Sequence, residues 1–393
     1  MITIYLDQSI YSEMVSEQMS EDGESGFAQV LQDFQGSGKA EIWLSPTHVI
    51  ETAQATDLQV RQRLASTMLN LIQARRMWRG YEFEAIDDFF SFLTLFAPAA
   101  IRAPEYFIRH SEASRQIWLG GLALLSAYPE IRIDNVIETL ALAKARNQLL
   151  HATFAANPNR WVTQMIRTVR GGIIANEYVD VCSGKSFEQI RSEISQLSSK
   201  ACRLSKSDLR LLNKERETIA RAYGAMEINR LLPITFSLPM EILIVFDVPH
   251  IVSRWSNLQA LVPCGPLPIR VRKASQKELL SDPAILQTVI QHAVRAAAKV
   301  GLISTELSFQ IILRDLQKCI NDKEIPTGGL VFDADHAAAL KRFDIIATAD
   351  TNLFDSLSTM ARSIEKRSQG VLKRNVVTNA NQLEKTLRDR LAA

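Results

Sequence analysis

Gly329–Leu357, GLVFDADHAAALKRFDIIATADTNLFDSL, is the stretch whose reading decides the fold. Asp333, Asp335 and His336 stand at the start of a short helical pattern. The apolar run from Asp344 to Thr348 then reads as a buried strand, and Asp350 lies just past its end. A carboxylate just beyond a buried strand is where an open α/β sheet forms its site, in the crevice at the carboxyl ends of the strands. The first residues repeat the arrangement: Ile2 to Leu6 is β-rich, and Asp7 follows it directly. The two ends of the chain are therefore expected to build one acidic site, with mostly helix between them.

Outward from these ends, Gln8, Ser9 and Ile10 lead into a helix expected to start near Tyr11, and Ser16 to Ser25 reads as a polar loop. Ala40 to Leu44 is a second short strand. Ser45 and Pro46 mark a helix start, as N-cap and first helical residue. Glu51 lies nearly two turns into that helix and projects back toward the strand ends if the helix packs across them. After Asp350 a helix runs to about Lys366, Asn375 to Thr378 is a last strand, and Asn381 to Leu391 a closing helix. Between Asp57 and Asn321 the periodicity is mainly helical, with Leu261 to Lys273 as an extended connector. The expected architecture is an α/β domain with a central parallel sheet between helical layers. Residues 1–60 and 325–393 form it, interrupted by an all-helical insertion over 61–324.

At 393 residues, 47% hydrophobic and 22% charged, the composition is that of a globular protein and excludes a disordered or fibrous one. A net charge of +2 makes no global electrostatic demand, so any nucleic-acid affinity has to come from local basic patches. Cys182, Cys202, Cys264 and Cys319 are widely spaced, without a metal-ligand rhythm, and read as buried free thiols in a reducing compartment. No signal peptide is expected ahead of a strand that starts at Ile2. The most apolar stretch, Leu231 to Val248, is interrupted by Pro233, Pro239 and Glu241 and reads as core rather than a membrane span. A cytoplasmic protein is expected.

Asp7 after a first strand, Glu51 on a helix, Asp335 opening a helix and Asp350 after a strand ending in Thr348 form an order that resembles the PIN-like nuclease family. The matching text is YLDQSIYSEM, LSPTHVIETAQ and DHAAALKRFDIIATADTNLF, the last being the most specific. The likeness covers the two chain ends, about a third of the length, and leaves the helical middle unassigned. It implies a Mg²⁺- or Mn²⁺-dependent nuclease acting on RNA, with Asp7, Glu51, Asp335 and Asp350 as catalytic and metal-site residues. Ser9 and Thr348 would be polar helpers that orient a carboxylate or a water. The chemistry is coherent on its own terms. Phosphodiester hydrolysis needs an activated water and compensation for charge gathering on phosphate, and carboxylate-held divalent ions supply both.

Plainer readings of the same residues stand beside this one. Asp7 and Asp350 can cap the helices that follow them, Glu51 can be a solvated helix residue, and Asp335 a first-turn acid facing the helix dipole. Asp333 competes with Asp335 as ligand. On a helix the two lie about 200° apart, so only one faces inward; the spacing of Asp335 to Leu340 and Asp344 is the one that resembles the family, and the resemblance therefore favours Asp335. His336 reads as a plain helix residue or a neighbour of the metal site. A rival reading takes Gly329 to Phe332 as a strand followed by Asp333 and Asp335 in a D-x-D pair, resembling haloacid-dehalogenase-like phosphatases. A non-catalytic scaffold that binds protein or nucleic acid is the remaining alternative.

A nuclease also needs cationic surface for phosphates. Arg362, Lys366, Arg367, Lys373 and Arg374, downstream of the Asp350 helix, are the preferred nucleic-acid-binding set; Arg75, Arg76 and Arg79 form a smaller cluster. The insertion is expected to act as a lid, as a homodimer surface or as a docking surface for a protein partner.

Overall fold

The computed structural model describes residues 1–392 except 19–25, 73–75, 132–133, 171–184, 237–238 and 323–329. Four short strands form one parallel sheet: β1 (Ile2–Leu6), β2 (Ala40–Trp43), β3 (Ile345–Ala347) and β4 (Asn375–Val377), in the order β2-β1-β3-β4. Ile4 pairs with Ile42 on one side and Ile345 on the other, so the first and last parts of the chain are joined at the sheet's centre. Strands covered on both faces must be apolar almost throughout, which is how ITIYL and IIA read.

The chain divides into two compact units. The first is Met1–Gly80, Ser111–Leu140 and Asp335–Ala393; the second is Tyr81–His110 and Ala141–Ala334. The first unit is larger than the 1–60 plus 325–393 expected from sequence. It also takes in the helix Leu58–Leu71 and much of the helix Pro104–Ala127. The reason is burial: Leu64, Met68, Leu119, Leu122 and Leu125 join Ile4, Leu6, Ile42, Ile345 and Ala347 in one apolar core on one face of the sheet. Arg61 ties the two added segments together by donating through Nη1 to the Pro129 carbonyl at 2.8 Å.

The other face of the sheet is aromatic and polar. Tyr5, Trp43, Trp78 and Phe343 pack as a cluster, with Tyr5 stacked on Phe343 at 5.2 Å between ring centroids. Residues two apart on a strand share a face, so Tyr5 and Asp7 both point to this side.

The second unit is helical. In it the helices Lys206–Met226 and Ile303–Asp322 approach closely at Gly224, where a Cβ would lie 2.6 Å from the Thr305 carbonyl oxygen. Among the described residues no single helix is long and apolar enough to cross a membrane. The stretches Pro283–Val300 and Ile303–Lys318 are apolar enough only as a pair bent by 72°, and Leu286, Val289, Ala293, Leu307 and Leu313 are buried in the unit's own interior.

Several sequence expectations are corrected. The first helix begins at Gln8, not Tyr11, because Asp7 accepts the Gln8 N–H at 2.7 Å through its side chain and the Ile10 N–H through its carbonyl. That helix runs to Gln18, into the stretch read as a loop. The helix carrying Asp333 and Asp335 begins at Leu330. Leu330 to Phe332 are therefore helical, and the strand that a D-x-D phosphatase reading needs is absent there. The expected connector holds a short helix, Ile269–Arg272. Cys202 is exposed and Cys264 half-buried, so these thiols are not core residues; Cys182 and the side chain of Cys319 lie outside the described part.

Candidate metal centre at the carboxyl edge of the sheet

Asp7 follows the last residue of β1, and its N–H still donates to the Ala347 carbonyl at 2.8 Å. The register Leu6↔Ala347 therefore sets Asp7 beside Thr348. Thr348 Oγ1 donates to Asp7 Oδ2 at 2.8 Å, and Ser9 Oγ donates to the same oxygen at 2.6 Å. Those hydroxyls also accept backbone N–H groups, Asp350 N–H on Thr348 and Ala349 N–H on Ser9, which fixes their direction. Asp7 is 5% exposed. Burial alone would raise its pKa, but His336, the Ser9 and Thr348 hydroxyls and His48 outweigh it and hold the carboxyl below the usual range.

Glu51 arrives on the helix Pro46–Gln54. Ser45 has the extended backbone of an N-cap, and His48 stands where a capping box usually carries Glu or Gln, its Nδ1 accepting the Ser45 N–H at 2.9 Å. His48 Nε2 lies 2.5 Å from the Leu6 carbonyl, which can only accept, so this nitrogen carries the proton. The ring thereby pins the helix across the end of β1, and Glu51, one turn on, reaches the strand end. With both nitrogens used and the ring fully buried, His48 stays neutral. Burial and the nearby His336 push its pKa down to about 3.

His336 supplies the third group. It is 1% exposed, in the second turn of the helix Leu330–Arg342. Its Nε2 lies 3.1 Å from Asp7 Oδ1 and 3.4 Å from Glu51 Oε2, and its Nδ1 is 2.7 Å from the Tyr5 hydroxyl. One ligand atom from each of Asp7, Glu51 and His336 falls within 4.8 Å of the others. The mixed donor set suits a divalent ion. Ligands about 2.1 Å from a metal sit about 3.0 to 3.4 Å apart at octahedral or tetrahedral angles, which brackets these spacings.

The remaining sequence candidates fall in different places. Asp335 is half-buried beside the cluster, accepting from Thr47 Oγ1 at 3.3 Å, and its charge helps raise the pKa of the buried Tyr5 hydroxyl. It lies in the second turn of its helix, so the first-turn acid is Asp333, which falls in the second unit. Asp350 is exposed and acts as N-cap of the helix Thr351–Arg367, accepting the Leu353 N–H at 2.9 Å.

The preferred basic set is carried to the far side of the sheet. A crossover from β3 to the parallel β4 returns the chain to the strands' amino ends, and at 1.5 Å per residue Lys366 lies about 22 Å along the helix from Thr351. Arg374 is used internally. It donates to the Leu340 and Lys341 carbonyls at the end of their helix and pairs with Asp344, which also holds the N–H and hydroxyl of Thr3. Arg362, Lys366, Arg367 and Lys373 are exposed. Arg76 pairs with Glu41, and Arg75 lies outside the described residues.

The residue whose place the sequence reading missed is His336. A signal for it existed: Phe332, His336, Leu340 and Phe343 repeat at helical spacing, so the buried stripe of this helix includes the histidine. No protein-family model, curated protein or solved structure matches the chain.

Proposed function

We propose that this chain is a metal-dependent nuclease built on a PIN-like domain, hydrolysing phosphodiester bonds of RNA. One observation carries the reading: Asp7, Glu51 and His336, from a strand end and two helices, converge at the carboxyl edge of a parallel sheet. The order of acids at the chain ends supplies the substrate class through its likeness to PIN-like nucleases. A divalent ion bound there would polarise the phosphate and lower the pKa of a water. Asp7 is held in its charged form by the Ser9 and Thr348 hydroxyls and would hold the ion through its other oxygen. Glu51 and His336 would complete the protein ligands, and Asp335 would take the proton of the water that attacks phosphorus as the ester P–O bond breaks. Asp350 acts through the helix it caps.

A second reading, a non-catalytic scaffold, draws on one feature: the imidazole of His336 already sits between the two carboxylates, where a cation would be wanted. Incubating wild type, Asp7→Asn and Glu51→Gln with labelled single-stranded RNA and Mn²⁺, with and without EDTA, separates the two. The nuclease reading expects cleavage that EDTA and either substitution abolish. Cleavage that persists in both variants would refute the site, and intact RNA and DNA at all ion concentrations would favour the scaffold.

A further inference from the structure

The cluster is backed by a line of buried polar side chains, of which the nuclease reading uses only His336. Tyr5, Ser45, His48 and His336 are all buried, and His336 Nε2 is aimed at both carboxylates. The line starts from a fixed point, because His48 donates through Nε2 to the Leu6 carbonyl and accepts the Ser45 N–H at Nδ1. From there Ser45 Oγ lies 2.9 Å from Tyr5 Oη, and Tyr5 Oη lies 2.7 Å from His336 Nδ1.

Hydroxyls both donate and accept, so this line has two proton arrangements. In one, Tyr5 donates to His336 Nδ1, and the Nε2 proton points at Asp7 and Glu51. In the other, His336 Nδ1–H donates to Tyr5, Tyr5 donates to Ser45, and the bare Nε2 lone pair points between the carboxylates. Only the second presents three ligand atoms to a cation. Histidines that bind metals donate their other ring N–H to a fixed acceptor, which sets the tautomer. A divalent ion held by two carboxylates and a neutral imidazole also sums to zero charge.

We propose that His336 is a metal ligand through Nε2, its tautomer set by the Tyr5–Ser45 hydroxyl pair, making a mixed nitrogen–oxygen centre that selects Mn²⁺, Co²⁺ or Zn²⁺ over Mg²⁺. Mg²⁺ prefers an all-oxygen shell and gives up its waters reluctantly, whereas imidazole suits the borderline transition ions. This rests on the metal part of the proposed function and is independent of its substrate.

The test is Co²⁺ binding to the full chain, followed by the visible d–d absorption of the bound ion, with Mg²⁺ and Zn²⁺ as competitors. Expected is one high-affinity site that Zn²⁺ displaces at equimolar amounts and that Mg²⁺ displaces only at about 100-fold excess or more. His336→Asn should lose at least about 100-fold in Co²⁺ affinity, and Tyr5→Phe, which keeps the ring stacked on Phe343, about 10- to 100-fold. Should His336→Asn not fold, histidine ¹⁵N spectra of wild type with Zn²⁺ give the same information. The His336 Nδ1 signal must then be that of a protonated nitrogen and the Nε2 signal that of a metal-bound one. Equal displacement by Mg²⁺, unchanged affinity in both variants, or an Asp7–His336 ion pair only, with no ion bound, would overturn the proposal. Co²⁺ bound as expected without RNA cleavage would instead refute only the nuclease reading.

Discussion

The imidazole of His336 stands between the carboxylates of Asp7 and Glu51, 3.1 Å from one and 3.4 Å from the other. That relationship joins three parts of the chain: the end of the first strand, the helix after the second, and a helix more than 280 residues later. Each is fixed separately, Asp7 by Ser9 and Thr348, Glu51's helix by His48 on Leu6, and His336 by Tyr5. The cluster is assembled from three independently held elements, and each support can be removed in turn.

Thr348→Val keeps shape and removes the hydroxyl that bridges Asp7 and the Asp350 N–H. Loss of such an orienting contact is expected to weaken metal affinity about 10- to 100-fold. It should also cost about 1 to 3 kcal/mol of stability, because buried polar partners are left unmade. Calorimetric titration with Mn²⁺ beside a urea melt measures both; unchanged metal affinity in a folded variant would mean that Asp7 does not bind the ion.

Asp350→Asn should leave Mn²⁺ affinity within about twofold, since Asn caps helices as well as Asp. Asp350→Ala should lower stability by about 1 kcal/mol through loss of the cap on Leu353. A large loss of metal affinity in Asp350→Asn would return this residue to the ligand set that the sequence first suggested.

How much of this was legible beforehand differs from one element to the next. ITIYL and DIIAT read as buried strands because parallel strands are apolar on both faces, and the carboxylates after them stood out because strand ends are where polar groups reappear. The Ser45–Pro46 start was equally plain from local chemistry. The phase of the helix Leu330–Arg342 was not. Reading Asp335 as its opening residue leaves out Leu330 to Ala334, and only the stripe running back to Phe332 shows His336 as a buried residue. The return of the helix Pro104–Ala127 to the sheet was hidden for a different reason. An amphipathic pattern shows that a helix has a buried face, not which core Leu119, Leu122 and Leu125 will join.

The triple substitution Arg362→Gln, Lys366→Gln and Lys373→Gln should change RNA cleavage less than about twofold, because the crossover puts these residues at the opposite edge of the sheet from Asp7. Arg374→Gln should instead lower stability by about 1 to 3 kcal/mol, by taking the donors from two helix-terminal carbonyls and leaving Asp344 with Arg390 as its arginine partner. A fall in RNA affinity for the triple variant, with a shallower salt dependence, would show that the substrate reaches that edge.

Two buried histidines should make the fold less stable in acid. His48 has its pKa depressed to about 3, and burial lowers that of His151, in the second unit, to about 4. Both are depressed below the ordinary value of about 6.5, so between those limits the unfolded chain binds more protons than the folded one. Their stabilising effect is complete above about pH 6.5 and is lost as pH falls toward 4 and then 3. Urea melts from pH 8 to 4 should show stability falling below pH 6.5, and His151→Gln should flatten that fall by a few kcal/mol, of order 3, at pH 4. An equal fall in the variant would show that His151 titrates normally in the folded state.

The most direct measurement is anomalous diffraction at the manganese edge from crystals of the full chain grown with Mn²⁺. The expected result is a peak within about 2.3 Å of Asp7 Oδ1, Glu51 Oε2 and His336 Nε2 together. A map with no peak at the carboxyl edge of the sheet, His336 Nε2 still 3.1 Å from Asp7 and 3.4 Å from Glu51, would contradict the metal centre and leave the cluster without an ion.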